Sequence, residues 1–168
     1  NVSFMIGYKA PAVTGADVPA LDVLSSILSE GESSRFHQAL VYEKQIALSA
    51  SASFRTRIDP SLFEVYVELK PGKSAAEGEA AVYEVLDKLV REGPGERELT
   101  KAKNLLEANF VRGMKTNNGA GYQIGFYDHV SGDYRAMFKT IERYRAVTAD
   151  DCKRAAKACF DARKRTVV

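Results

Sequence analysis

The sequence predicts an α+β fold: a two-layer sandwich with a mostly antiparallel sheet and helices packed on one face. Three observations carry this. Val2, Phe4, Ile6 and Tyr8 alternate at strand period near the start. Phe63, Val65, Val67 and Leu69 alternate with Glu64, Tyr66, Glu68 and Lys70, which describes a strand with one wet face, as antiparallel sheets have. Amphipathic helical stretches fill the rest, between and after the strands.

Each element follows in order. After the opening strand, Leu21, Leu24, Ile27 and Leu28 line one face of a helix that breaks at Gly31. Ser33 and Ser34 offer hydroxyl caps for a second helix bearing Phe36 and Leu40. A strand comes next, with Ile46, Leu48, Ala50, Ala52 and Phe54 expected on its apolar face and Ala47, Ser49, Ser51 and Ser53 opposite. The Arg55–Ser61 loop turns this strand back into the Phe63–Leu69 strand, and Pro71-Gly72 ends the hairpin. Ser74 caps a helix lined by Val82, Val85, Leu86 and Leu89, which stops at Gly93-Pro94-Gly95. The next helix starts on Glu96 and Glu98 and carries Leu99, Ala102, Leu106 and Phe110. Three shorter helical segments follow: one with Tyr122, Phe126 and His129, one with Met137, Phe138 and Ile141, and one entered through Thr148 and Asp151 as a capping box. A short strand, Thr166 to Val168, closes the order β-α-α-β-β-α-α-α-α-α-β.

Composition bounds what this chain does. Its 168 residues suffice for one domain with a substantial core, and 45% hydrophobic with 27% charged residues is the balance of a globular protein. No apolar run approaches the roughly 18 residues of a membrane span. With 24 basic against 22 acidic residues, the net charge of +2 implies no polyanionic partner. Arg163, Lys164 and Arg165 read as a solvated turn before the last strand, not a nucleic-acid patch. Cys152 and Cys159 share a helix face but stand about 10 Å apart along its axis, too far for a disulfide, and read as small buried hydrophobes. The chain starts without Met and inside a strand and stops inside another, so residues 1–168 read as a single domain excised from a longer chain.

In this order the segments resemble the pitrilysin/insulinase metallopeptidase superfamily, which includes mitochondrial processing peptidase and its bacterial relatives. The family's run L-x-x-x-L-x-x-G-x-S-S-R-L corresponds to Leu24 to Leu28, Gly31, Ser33, Ser34, Arg35 and Phe36. Gly7-Tyr8-Lys9-Ala10-Pro11 is similar to the end of its first strand, and Glu98 to Asn104 to its E-L-x-x-A-K-N helix start. Val147 to Asp151 is similar to its V-T-x-x-D helix start. The resemblance implies a metallopeptidase-half fold of the pitrilysin type, and a peptidase parent.

The chemistry of that family is missing from these residues. A zinc peptidase needs ligands, an acidified water and a base to direct it. The family takes these from His-x-x-Glu-His plus a downstream Glu, whereas this chain has only His37 and His129, outside that motif. His37 reads as a helix-surface residue and His129 as a packed, hydrogen-bonded one. Glu107 sits on the element that supplies the third ligand in the family's catalytic domains, and here reads as a solvated carboxylate. No catalytic or metal-binding residue is assigned. No Gly-rich phosphate loop, nucleophile elbow or Cys–His signature occurs either.

The resemblance also implies an Arg and, seven residues later, a Tyr that non-zinc domains extend toward substrate. Those positions are Val41 and Leu48, so both are lost, and neither side chain donates a hydrogen bond. Tyr42 lies next to Val41 but is turned by ~100° on a helix. The expected role is therefore the non-catalytic, C-terminal-type half of a peptide-enclosing chamber, itself without cofactor. Zinc is expected in a partner domain, in cis or on a homologous subunit. Ser49, Ser51 and Ser53 are the candidate contacts for unfolded peptide or for that domain; their other reading is a strand face packed under a helix. The alternative is an inert assembly or peptide-binding subunit, like respiratory-complex core proteins. Neither nucleic acid nor membrane is an expected partner, and the bacterial relatives favour the periplasm or cell envelope.

Overall fold

The computed structural model describes residues 2–168. Four strands form one antiparallel sheet in the order β2-β3-β1-β4, with β1 at Ser3–Ala10, β2 at Ala47–Phe54, β3 at Ser61–Leu69 and β4 at Arg165–Val167. The helices are α1 (Val18–Ser29), α2 (Ala75–Glu92), α3 (Glu96–Gly113), α4 (Asn117–Ser131), α5 (Thr140–Ala146) and α6 (Ala149–Cys159). The class and order are those expected, with β2 and β3 paired as neighbours.

The core lies between the sheet and α1, α2 and α6. Phe4, Ile6 and Tyr8 of β1 and Phe63, Val65, Val67 and Leu69 of β3 point into it, meeting Leu21, Leu24 and Leu28 of α1 and Leu86 and Leu89 of α2. Phe160 closes one end edge-on to Tyr8 and Phe63, at ring separations of 5.3 and 5.1 Å. Helix α2 approaches β1 and β3 closely at Gly78, where a Cβ would sit 2.6 Å from the Phe4 ring. Cys152 and Cys159 are buried and unpaired, and burial pushes both thiols up to about 12, so they act as packing groups.

The helix caps follow the sequence closely. Ser74 accepts from the Glu77 N–H at 3.3 Å while its own N–H donates to Glu77, and Thr148 and Asp151 reciprocate in the same way. Arg163 and Lys164 lie in an exposed 3₁₀ turn leading into β4.

Three local expectations are corrected. The second helix is a π-helix, His37–Glu43, in which the Lys44 N–H donates to the Ala39 carbonyl and the Ile46 N–H to that of Leu40. It ends at Glu43, and Gln45 just beyond it, with a φ of 50°, turns the chain toward β2. The Ser33 and Ser34 hydroxyls do not cap it. Ser34 is buried and its carbonyl, not its hydroxyl, accepts the Gln38 N–H, while the Ser33 hydroxyl accepts from Lys101.

Leu48 leaves the apolar face. The pairing shifts between Ala47, opposite Leu69, and Ser49, opposite Glu68, so Leu48 is the extra residue of a β-bulge. The bulge flips the side-chain parity. Ala47 turns inward beside Ile46, Leu48 is 46% exposed, and the expected alternation resumes with Ala50 and Ala52.

His129, expected to be packed and hydrogen-bonded, is exposed. Helix α4 lies at the rim of the helical layer and buries none of its residues fully, with Tyr122 67% exposed. In the segment after it, Met137 is buried and Phe138 is open to solvent.

Candidate functional site

The segment Glu30–Arg35, which carries the Gly-x-Ser-Ser-Arg run, is locked to the start of α3. Arg35 donates from Nε and Nη2 to the two oxygens of Glu98, at 2.9 and 2.8 Å, and from Nη2 to the Gly93 carbonyl at 3.0 Å. The Glu98 carboxylate also accepts the Gly95 N–H and so caps its own helix. Arg35 lowers the Glu98 pKa below the usual carboxylate range, against the opposing effect of burial. One turn along α3, Lys101 donates to the Glu30 carbonyl at 2.8 Å and to Ser33 at 2.7 Å. Two motifs 63 residues apart are one structural clamp. Its role is architectural: among the described residues, no histidine or second acidic side chain joins it.

The side of the sheet away from the helices is open. Its rows, read across the paired strands, are Ser49–Glu68–Ser3, Ser51–Tyr66–Met5 and Ser53–Glu64–Gly7. Leu62, 45% exposed, leans over Gly7 near one end of this face, and Met5, Tyr66 and, near the other end, Leu48 are also exposed. Ser49, Ser51 and Ser53 therefore line an exposed face along an outer strand, not a surface packed under a helix. The bulge adds Leu48 to that face. Val41 stays on the π-helix, half-buried against the core, and Tyr42 beside it is 70% exposed. Neither Val41 nor Leu48 has a side-chain donor to offer.

Among the described residues, no three His, Cys, Asp or Glu side chains cluster so as to hold a metal ion. His37 is half-buried on the π-helix and His129 exposed on α4. Glu107 is ion-paired with Arg145 of α5, its Oε2 accepting from Nε at 2.9 Å. These residues do not fit a zinc site. Metal analysis of the dialysed chain is expected to find far less than stoichiometric zinc, and a fluorogenic-peptide assay to find no chelator-sensitive turnover. One tightly held zinc per chain would overturn this.

Among the described residues, no helix is long and apolar enough to cross a membrane.

Comparison with known proteins agrees with the geometry. The chain is 27% identical over 163 residues to the zinc protease PqqE of Helicobacter pylori, which covers 97% of the chain and 36% of that protein. The chain thus spans about a third of the length of this curated relative. Its fold superposes with a TM-score of 0.89 and 25% identity on the inactive peptidase domain from Bordetella parapertussis, covering 99% of this chain and 90% of that one. A chain of complex III2 from Candida albicans shares the fold, at a TM-score of 0.84 and 14% identity, over 98% of this chain and 41% of that one. The sequence profile described as the peptidase M16 inactive domain matches residues 1–106, across the clamp and the three long strands of the open face. With a matching fold and, among the described residues, no cluster to hold a metal ion, the chain belongs to the peptidase M16 inactive domain family.

Proposed function

We propose that residues 1–168 form a single, C-terminal-type, non-catalytic half of a zinc-dependent peptidase, whose open sheet face lines a chamber that encloses unfolded peptide. The observation that carries this is the uncovered face itself. Met5, Leu48, Leu62 and Tyr66 supply scattered apolar contacts, and the serine row along β2 lets another backbone approach closely. β2 is an outer strand, so extended peptide adds to it through main-chain hydrogen bonds with little demand on sequence. Zinc belongs to a partner domain, in cis or on a homologous subunit, and the periplasm or cell envelope is the proposed compartment. The zinc-protease name of the Helicobacter relative and its greater length support this reading.

With valine at 41 and leucine at 48, the Arg and Tyr that meet the substrate come from a separate subunit. Full-length protein is therefore expected to turn over peptide weakly alone. Adding a homologous subunit that carries the Arg–Tyr pair should raise the rate by ~100- to 1000-fold, the usual cost of a missing preorganised oxyanion donor. The double change Val41→Arg, Leu48→Tyr should not restore activity to the lone protein, and because Leu48 is exposed the tyrosine carries little packing cost. A lone wild type as fast as the mixture would sink the borrowed-pair mechanism.

A second reading is an inert assembly subunit, favoured by the loss of both positions and by the fold shared with the complex III2 chain. No bound zinc in the full-length protein and no turnover in any mixture would select it.

A further inference from the structure

On the helical side lies a cavity of about 600 Å³ to which none of the outward-facing sheet residues contributes. It is bounded by the start of α1, the β2–β3 loop, the second half of α3, and α4 and α5. Its walls carry six aromatic side chains: Phe54, Phe110, Tyr122, Phe126, Tyr127 and Tyr144. Two kinds of charge face it. Asp22 of α1 accepts a hydrogen bond from the Tyr144 hydroxyl at 3.1 Å, and no cation among the described residues pairs with it. Burial pushes the Asp22 carboxyl up to about 7 although the Tyr144 bond pulls it down, as expected of an acid without a counter-charge. At the mouth Arg55, Arg57 and Arg143 are exposed, and none forms an ion pair among the described residues.

A simple cation would satisfy Asp22 but meet three arginines at the mouth. A simple anion would satisfy the arginines but reach an uncompensated carboxylate. A molecule with opposite charges at its ends and an apolar body between satisfies both, and aromatic faces add attraction for an ammonium. The volume lies within the range of small-molecule sites. We propose that this cavity binds a short zwitterionic amphiphile, of which an apolar dipeptide is the simplest, with its ammonium toward Asp22 and its carboxylate toward Arg55, Arg57 and Arg143. The site is separate from the sheet face and does not depend on the chamber reading.

Calorimetric titration of the purified chain with leucyl-phenylalanine at neutral pH tests this, alongside the N-acetyl form, the C-terminal amide and spermidine. Saturable binding of the free dipeptide is expected, with at least about tenfold weaker binding after either end is blocked, the scale of one lost charge contact. Asp22→Asn should erase the difference between free and N-acetyl forms while keeping that between acid and amide. The pair Arg57→Ala, Arg143→Ala should do the reverse. If Asp22→Asn fails to fold, the wild-type comparison of the four probes still decides. Equal binding of the N-acetyl dipeptide, binding of spermidine alone, or no saturable binding of the free dipeptide would overturn the proposal.

Discussion

Replacing Val65 with aspartate is expected to abolish cooperative folding. Val65 is fully buried at the centre of the sheet, paired with Ile6 on one side and Ala52 on the other. The new carboxylate would have no cation within the apolar layer of Phe4, Leu24 and Leu86. An isolated buried ion costs several kcal/mol even after relaxation, and protonating it to avoid that cost still leaves a desolvated polar group. Set against a typical total stability of about 5–15 kcal/mol, the loss removes most or all of the folded population. Tyr66→Asp, one residue along on the open face, is the control, and should cost under about 1 kcal/mol as surface changes do. Thermal and urea melts followed by circular dichroism would show the contrast. A Val65→Asp variant that melts with the parent would mean that the register of β3 is wrong.

The second large effect is expected at Arg35. Arg35→Ala removes a bidentate bond to Glu98 and one to the Gly93 carbonyl, and leaves a partly buried carboxylate without its cation. Hydrogen bonds to charged groups contribute about 1.5–3 kcal/mol, and the exposed part of Glu98 is screened by solvent, so a loss of about 2 kcal/mol is expected at neutral pH. The sign with pH follows from Glu98, whose folded pKa is lowered, first by the Arg35 hydrogen bond. Its contribution is fully present above the unfolded value of about 4.3 and is lost as pH falls through the folded value. Parent and variant should therefore differ most at pH 7 and converge in acid. A gap that stays constant down to the acid limb would mean that Arg35 acts through packing alone.

Much of the architecture is legible in the residues because both periodicities are strong. The alternation at Phe63 to Leu69 and the helix stripe from Leu21 to Leu28 assign inward faces correctly, since burial of apolar area dominates there. Leu48 shows where that logic stops. Period two holds only for unbroken pairing, and one extra residue reverses the parity without any local signal beyond ordinary β-formers. The clamp shows a different limit. The Ser-Ser-Arg run and the Glu-Leu helix start are each visible alone, but their partnership is tertiary, and the Ser33 hydroxyl that resembles a cap accepts from Lys101 instead. The aromatic cavity is illegible for the same reason. Asp22, Phe54 and Tyr144 look unrelated along the chain and meet only because α5 folds back onto α1.

The strand order has a consequence for how the chain acquires its fold. β1, formed by residues 3–10, is an interior strand, bonded to β3 across some sixty positions and to β4 at the far end of the sequence. Met5 and Val168 exchange backbone hydrogen bonds at 2.8 and 3.0 Å. During synthesis one flank of β1 therefore keeps unpaired N–H and C=O groups until residues 165–168 have emerged. Such long-range closure slows folding and prolongs the exposure of a sticky strand rich in Phe, Ile and Tyr. Docking of β3 covers one flank of β1 and the brief β4 covers the other, so β4 shields an interior strand edge out of proportion to its own length.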